Sequence, residues 1–374
     1  MRVLTLNPGS SSMKVSLVVD GVGVGWAAWD LANPALVSEA IHRWSTVDAV
    51  AVRFVHGGSQ KAPALVDDRL LADLEHLTSL APNHQPLSLA VTREVRDLLP
   101  DLPVIACFDT AFHAHLPEAA AHYPLPREWT TRNRLRRYGF HGLSCEHALH
   151  RTAELLGKAP EALHLICAHV GAGVSVTAIR AGHSVDTSMG FTPLEGAAMA
   201  TRSGSVDPGL LLHVMKTVPM TADELADALY HRSGLAGMSG TTGDLREVLA
   251  GVAKDDADCV RALAVYLHRL RREIGAAATS LDRLDAVVFT GGVAEHQPEV
   301  ITAVIEGLGV LGLRAGRVPR TEVDRIVTAP GSPVPALIVI PHEDLQLARG
   351  AEDVLARLAT CRPAAGISTQ GRPG

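Results

Sequence analysis

The chain has 374 residues and a mass of 39.5 kDa, more than one hydrophobic core ordinarily supports, so length predicts two domains or one large α/β unit. A hydrophobic fraction of 47% with 20% charged residues fits a globular chain and argues against disorder. The net charge of −6, from 34 basic and 40 acidic residues, gives no general attraction to nucleic acid or anionic lipid. No apolar run reaches the roughly 18 residues of a membrane span, and no basic segment with an apolar core opens the chain. A soluble, cytoplasmic protein without nucleic-acid or membrane partners is therefore expected. Five scattered cysteines with no C-x-x-C support neither a disulfide framework nor a zinc ribbon.

In chain order, apolar runs at Val3–Leu6 and Val15–Val19 flank the turn Asn7-Pro8-Gly9-Ser10-Ser11-Ser12, which reads as a hairpin. The stretch Gly21-x-Gly23-x-Gly25 follows a strand, but Trp26 opens no helix, so no dinucleotide fingerprint is read there. Helical patterns follow near Ser88–Leu98 and Cys145–Leu156, with a strand at Pro103–Phe108 between them. A second hairpin is predicted from His164–Val170, the turn Gly171-Ala172-Gly173, and Val174–Ile179. Helices at Thr221–His231 and Asp256–Ser280 precede a strand, Ala286–Phe289, that ends in Thr290-Gly291-Gly292. A last helix near Asp344–Ala359 leads into a Pro/Gly/Ser tail, 361–374, read as disordered. Alternating strands and helices predict an α/β fold, and a hairpin opening each half predicts two related halves.

Several of these turns could carry chemistry. The first hairpin turn with Lys14 offers hydroxyls, backbone donors and a cation, as a phosphate site would, although an ordinary serine-rich turn looks the same. Asp109 ends a predicted strand, at the edge where ligands bind in open α/β sheets, yet a helix cap is equally available before Thr110. His141 sits between glycines, where structural roles are common. His141, Cys145, His147 and His150 match no zinc spacing. The five arginines from Arg127 to Arg137, in a chain without overall basicity, read as a surface loop rather than an RNA contact. The irregular stretches Asp186–Gly196, Thr201–Gly204 and Ser239–Arg246 mix glycine, hydroxyls and charge, a texture that packing alone does not need.

At these residues the chain resembles the acetate and propionate kinase family. The resemblance runs from Asn7 to Arg349 and rests on Asn7–Lys14, Arg53–Gly58, Phe108–His113, Arg137–Gly142, Asp186–Gly196 with Thr201–Gly204, Thr290–Gly292 and Ile340–Glu343. It implies an α/β fold of two actin-like (ribonuclease H-like) domains around a central cleft, an N-terminal one over 1–110 completed by the helix 345–360, and a second over 111–344. It also implies ATP with Mg²⁺ (or Mn²⁺), a short carboxylate such as acetate as acceptor, ADP as product, and a homodimer. By the same resemblance, Asn7 and Glu343 help hold the metal, and Arg53 binds the carboxylate with Val55, His84, Phe140 and Pro193 around it. Asp109, His141 and Arg202 serve the transfer itself. Lys14, His169, Val170, Gly171, Ala172 and Gly173, then Asp244, Leu245 and Arg246, then Gly292, Val293, Ala294, Glu295 and His296 line the nucleotide.

The chemistry explains why such a set would be cationic. An anionic carboxylate must attack an anionic phosphate, and each unit-charge pair at ~4 Å repels by ~4 kcal/mol at an effective dielectric of ~20. A carboxylate has no proton to remove at pH 7, so Asp109 suits metal and orientation work better than base work. The chain departs from the family at Ala172, Ala294, His296, Val52 and Asn83. The polar Asn83 is expected to widen or rehydrate the acyl pocket, which would admit propionate or another short acid. The altered nucleotide loops leave a non-catalytic nucleotide-binding regulator as a further possibility.

Overall fold

The computed structural model describes residues 1–9, 12–30, 36–44 and 46–360. The Ser10-Ser11 tip of the first hairpin and the tail 361–374 lie outside the described residues.

The first half is a six-stranded sheet of β1 (Arg2–Pro8), β2 (Ser12–Val19), β3 (Val22–Asp30), β4 (Ala49–Phe54), β5 (Ala64–Leu65) and β6 (Val104–Phe108), in the order β3-β2-β1-β4-β6-β5. The second is built from β7 (His164–Val170), β8 (Val174–Arg180), β9 (His183–Thr187), β10 (Ala286–Thr290), β11 (Arg325–Ile326) and β12 (Ala336–Ile338). Its order, read from the other edge, is β9-β8-β7-β10-β12-β11. The two sheets match strand for strand. Each starts with a three-stranded antiparallel meander, continues with two parallel strands, and ends in a two-residue antiparallel edge. The structure thus bears out the related halves, and adds to each hairpin a third strand that the sequence reading lacked.

The third strand of the first sheet is hard to see in sequence because β3 is a sheet edge that buries little. Val22, Val24 and Trp26 point outward, while the opposite face must be small: a Cβ on Gly25 would lie 3.2 Å from the Trp44 indole nitrogen. The chain at Gly21–Gly25 is therefore strand and turn, with no helix following.

The predicted helices are present with shifted ends, as Gln85–Leu98, Gly142–Leu156, Ala222–His231, Ala257–Ala278 and Glu343–Thr360. The helix Ala257–Ala278 starts where predicted because the Asp256 carboxylate accepts from the backbone N–H groups of Asp258 and Cys259. Helix Glu343–Thr360 buries Leu347, Ala348, Ala351 and Val354 against Val3, Ala49, Ile105 and Cys107 of the first sheet. Helix Gly142–Leu156 buries Cys145, Ala148 and Leu149 against Leu165, Cys167 and Val288 of the second. These two helices also pack on each other, so they form the layer between the sheets. The outer faces are closed by helices such as Gln85–Leu98 on one side and Ala257–Ala278 on the other. None of the helices among the described residues is long and apolar enough to cross a membrane.

Candidate active site at the facing edges of the two sheets

The parallel strands of both sheets end on the same side, as strand ends do at ligand sites of open α/β sheets. Asn7 leaves β1, Arg53 and Val55 leave β4, and Asp109 follows β6. His169 and Val170 end β7, and Thr290 ends β10.

Arg53 is the hub of the first group. Its Nε donates to Asp109 Oδ1 at 2.9 Å and its Nη2 to Asp109 Oδ2 at 2.6 Å, a bidentate pair. Its Nη1 donates to Asn7 Oδ1 at 3.0 Å and lies 3.4 Å from Glu343 Oε2. Asn7 Nδ2 closes the ring by donating to Glu343 Oε2 at 2.7 Å. Three of the five guanidinium protons are hydrogen-bonded and the second on Nη1 faces Glu343, which leaves one on Nη2 for a ligand. Burial opposes charge on Arg53, and Asp109 and Glu343 overcome it, so its pKa is raised. Burial raises the Asp109 carboxyl despite Arg53, whereas Arg53, His169 and the Asn7 amide hold Glu343 below its ordinary range against burial. Asp109 is more than a helix cap: its carboxylate pairs with Arg53, and its backbone carbonyl accepts from Gly142 N–H at 2.9 Å.

That carbonyl fixes the next element. Gly142 opens a helix directly against it, and a Cβ there would lie 2.2 Å from the Asp109 oxygen. His141 precedes it in the left-handed region at φ 59°. Its ring stacks on His169 with centroids 4.1 Å apart. Each ring is held by a serine, His141 Nδ1 by Ser175 Oγ at 3.0 Å and His169 Nδ1 by Ser144 Oγ at 2.9 Å. Burial and then the neighbouring His169 keep His141 well below its ordinary pKa, and burial lowers His169 to about 4. Both imidazoles are neutral at pH 7.

Arg202 comes from the irregular stretch after β9. Its Nη1 donates to the Pro193 carbonyl at 2.9 Å. No carboxylate among the described residues pairs with it, and burial lowers its pKa. A Cβ on Gly173 would lie 3.4 Å from His141 Cε1 and 3.6 Å from Arg202 Nη1, so cation, imidazole and glycine turn converge. His84, just before the helix Gln85–Leu98, is lowered to about 4 by burial and by the charges of Arg53 and Arg202. Val55 and Phe140 share one buried apolar cluster with Ala81 and Met199, and Pro193 is buried beside Arg202. Asn83, the polar departure expected to alter the acyl pocket, is exposed; Ala81, two residues earlier, is the buried residue of that segment.

The residues predicted to line the nucleotide form an arc around the Gly171–Gly173 turn. Gly171 N–H bonds the Gly173 carbonyl at 3.0 Å, and Ala172 is exposed at the tip. Gly291, at φ 92°, passes so close to β7 that a Cβ would lie 2.7 Å from the Val170 oxygen. Gly292, Val293, Ala294, Glu295 and His296 then form one short helix in which Ala294 is fully buried. Ala200 N–H bonds the Ala172 carbonyl, and a Cβ on Gly243 would strike the Ala200 carbonyl, which brings Asp244–Arg246 alongside. There Asp244 caps the helix Leu245–Val252 and pairs with the exposed Arg246, while Leu245 is buried. Lys14 lies opposite Asn7 in the β1–β2 register and is exposed.

Sequence reasoning missed the supports. Ser144 and Ser175 orient the two imidazoles; the only signal for Ser175 was a hydroxyl between Val174 and Val176 in a largely apolar strand. Glu195 receives Arg137 at 2.7 Å and the Tyr123 hydroxyl at 2.6 Å, which pins the Asp186–Gly196 stretch. Residues 25 to 72 positions apart give no local signal of such contacts.

Oxygen donors from Asn7, Glu343 and Asp109 would suit a hard cation such as Mg²⁺, which they would hold together with waters and phosphate oxygens. Among the described residues there is no group of three or more His, Cys, Asp or Glu that could hold a metal unaided.

Comparison with known proteins follows the same lines. The chain is 39% identical to an acetate kinase of Synechococcus sp. (strain JA-2-3B'a(2-13)), over 95% of this chain and 99% of that protein. It is 38% identical to an acetate kinase of Streptomyces avermitilis, over 93% and 96%. The structure of Porphyromonas gingivalis acetate kinase superposes with a TM-score of 0.85 at 30% identity, over 95% of this chain and 99% of that one. That of a propionate kinase from Francisella tularensis subsp. tularensis SCHU S4 does so at 0.86 and 29%, over 93% and 98%. The fold is the two-domain actin-like α/β fold of these kinases. The Acetokinase family model matches residues 30–349, and with these relatives it shows that the chain belongs to the acetate kinase family.

Proposed function

We propose that the protein is a Mg²⁺-dependent ATP:acetate phosphotransferase that reversibly gives acetyl phosphate and ADP. The observation that carries this reading is Arg202, a largely buried cation with no anionic partner, set beside His141 and across from the Arg53 cluster. Such a charge is costly unless an anion arrives, and a transferring phosphoryl group is such an anion. Arg202 and the neutral N–H of His141 then stabilise the charge that develops in transfer. The spare Nη2 proton of Arg53 orients the acceptor carboxylate, with Val55, Phe140 and Pro193 as its apolar wall and His84 beside it. Asp109 holds Arg53 in place and, with Asn7 and Glu343, offers oxygens to the metal, which when bound neutralises phosphate charge. Lys14, the His169–Gly173 turn, Asp244–Arg246 and the Gly292–His296 helix cradle ATP.

In this reading the division lies at 1–110, completed by 345–360, against 111–344, and the enzyme works in the cytoplasm as a homodimer. The helix Pro208–Thr217 supports the dimer: it buries none of its residues within the chain, and Leu210, Leu212 and Met215 stand exposed on it.

The test is incubation with Mg-ATP and, separately, acetate, propionate, butyrate and a hydroxy acid, with the acyl phosphate trapped as hydroxamate. Product strongest with acetate and lost without Mg²⁺ is expected. A stronger signal with propionate would move the acceptor to that acid. ATP binding with no acyl phosphate from any acid would sink catalysis and leave the regulator.

A further inference from the structure

A cavity of about 570 Å³ lies behind the acyl wall, lined by none of the residues assigned to the transfer site. Its floor is apolar, from Leu70, Leu74 and Leu77. Tyr138 and Phe191, with ring centroids 5.9 Å apart, form an aromatic side. Lys61, Arg134 and Arg136 also line it, against a single carboxylate, Asp73. None of the three cations forms an ion pair with another described residue; Arg136 instead donates to the Arg137 carbonyl and lies 5.9 Å over the Tyr138 ring. Arg136 and Arg134 also lie close enough to the Tyr138 phenol to oppose the upward push that burial gives its pKa. The histidines on the lining are His76, exposed, and His113, buried and neutral with its pKa lowered to about 4.

We propose that this cavity is a second ligand site, for a small organic dianion with an apolar body, and that its occupancy bears on the acyl pocket. A concave apolar floor with a few convergent charged groups is the usual make-up of a small-molecule site, and the volume is of the usual size. Unpaired guanidinium groups supply charge-assisted hydrogen bonds to carboxylate or phosphate alike. The link to the acyl pocket is one ring thick. Tyr138 on the cavity side packs at 4.5 Å against His56, and His56 at 5.7 Å against Phe140 of the acyl wall. His56 is itself tied to the cavity backbone, since its Nδ1 accepts from Gly58 N–H at 3.0 Å. The site stands on the cavity alone; its effect on acetate rests on the acetate kinase reading.

Phenyl phosphate and phthalate are the probes, with benzyl alcohol as the uncharged control. Binding to the whole protein is measured by calorimetry, without and with saturating Mg-ADP and acetate. Saturable binding of one or both dianions that survives the active-site ligands is expected, with benzyl alcohol binding far more weakly. The Arg134→Gln/Arg136→Gln double variant should weaken it by at least about tenfold. Occupancy should change the KM for acetate and leave that for ATP unchanged. No saturable binding, loss of binding when Mg-ADP and acetate are present, equal binding of benzyl alcohol, or an unaltered affinity in the double variant would overturn the site. Binding with an unchanged acetate KM would overturn the coupling. Binding is read without turnover, so a failure of the acetate kinase reading shows separately, as absent hydroxamate.

Discussion

Replacing Arg202 by methionine should make the protein more stable and nearly inactive at once. The guanidinium is largely buried, its pKa is lowered by that burial, and no carboxylate answers it. Methionine keeps much of the volume and removes the charge. Desolvating an unpaired ion costs several kcal/mol even after relaxation, and the partial exposure of Arg202 reduces the gain from removing it to about 2 kcal/mol. Against this stands the lost hydrogen bond to the Pro193 carbonyl, worth about 1 kcal/mol. The net is a gain of about 1 kcal/mol, which raises the melting midpoint by about 2 °C in a chain of this size. Turnover moves the other way. A cation that meets the transferring phosphoryl group contributes about 10³–10⁵ in rate, or about 4–7 kcal/mol. Thermal unfolding of the apo protein and hydroxamate-coupled turnover measure the two sides. A lowered midpoint would refute the unpaired-charge argument. Turnover within tenfold of the parent would refute the role in transfer.

Gly142→Ala should cost about 10²-fold in kcat: its Cβ would lie 2.2 Å from the Asp109 carbonyl oxygen, and relief requires a displacement of about 1 Å at a site residue. Parent-like turnover would show that Asp109 tolerates the shift. The buried histidines predict an acid-sensitive fold. His56, His84, His113, His147 and His169 each titrate at about 4 when folded, against an ordinary value of 6.5. The unfolded chain therefore binds more protons between those values, and stability is full above pH 6.5 and falls as pH drops towards 4, by up to about 3 kcal/mol per histidine. A melting midpoint that stays flat from pH 7 to 5 would contradict this. Leu212→Asp, on the helix Pro208–Thr217, should convert a dimer to monomer in sedimentation, and an unchanged dimer would place the interface elsewhere.

The sequence determined by itself those features that are local or periodic. Apolar runs broken by small-residue turns marked both hairpins, and capping residues such as Asp256 marked helix starts, because hydrogen-bonding and hydrophobic patterns repeat within a few residues. The motif blocks marked the residues that converge on the cleft, and Asn7, Arg53, Asp109 and Glu343 do meet there. Only the tertiary structure decided the rest. Strand β3 was hidden because an edge strand buries too little to show alternation. The two readings of Asp109 were separable only once Arg53, 56 residues away, was seen gripping both carboxylate oxygens. That Asn83 is exposed while Ala81 is buried was set by how the loop before helix Gln85–Leu98 packs. The serines that aim His141 and His169 sit 34 and 25 residues from their partners, and the unanswered charge of Arg202 is a property of everything around it. Burial and pairing are sums over neighbours that only the fold brings together.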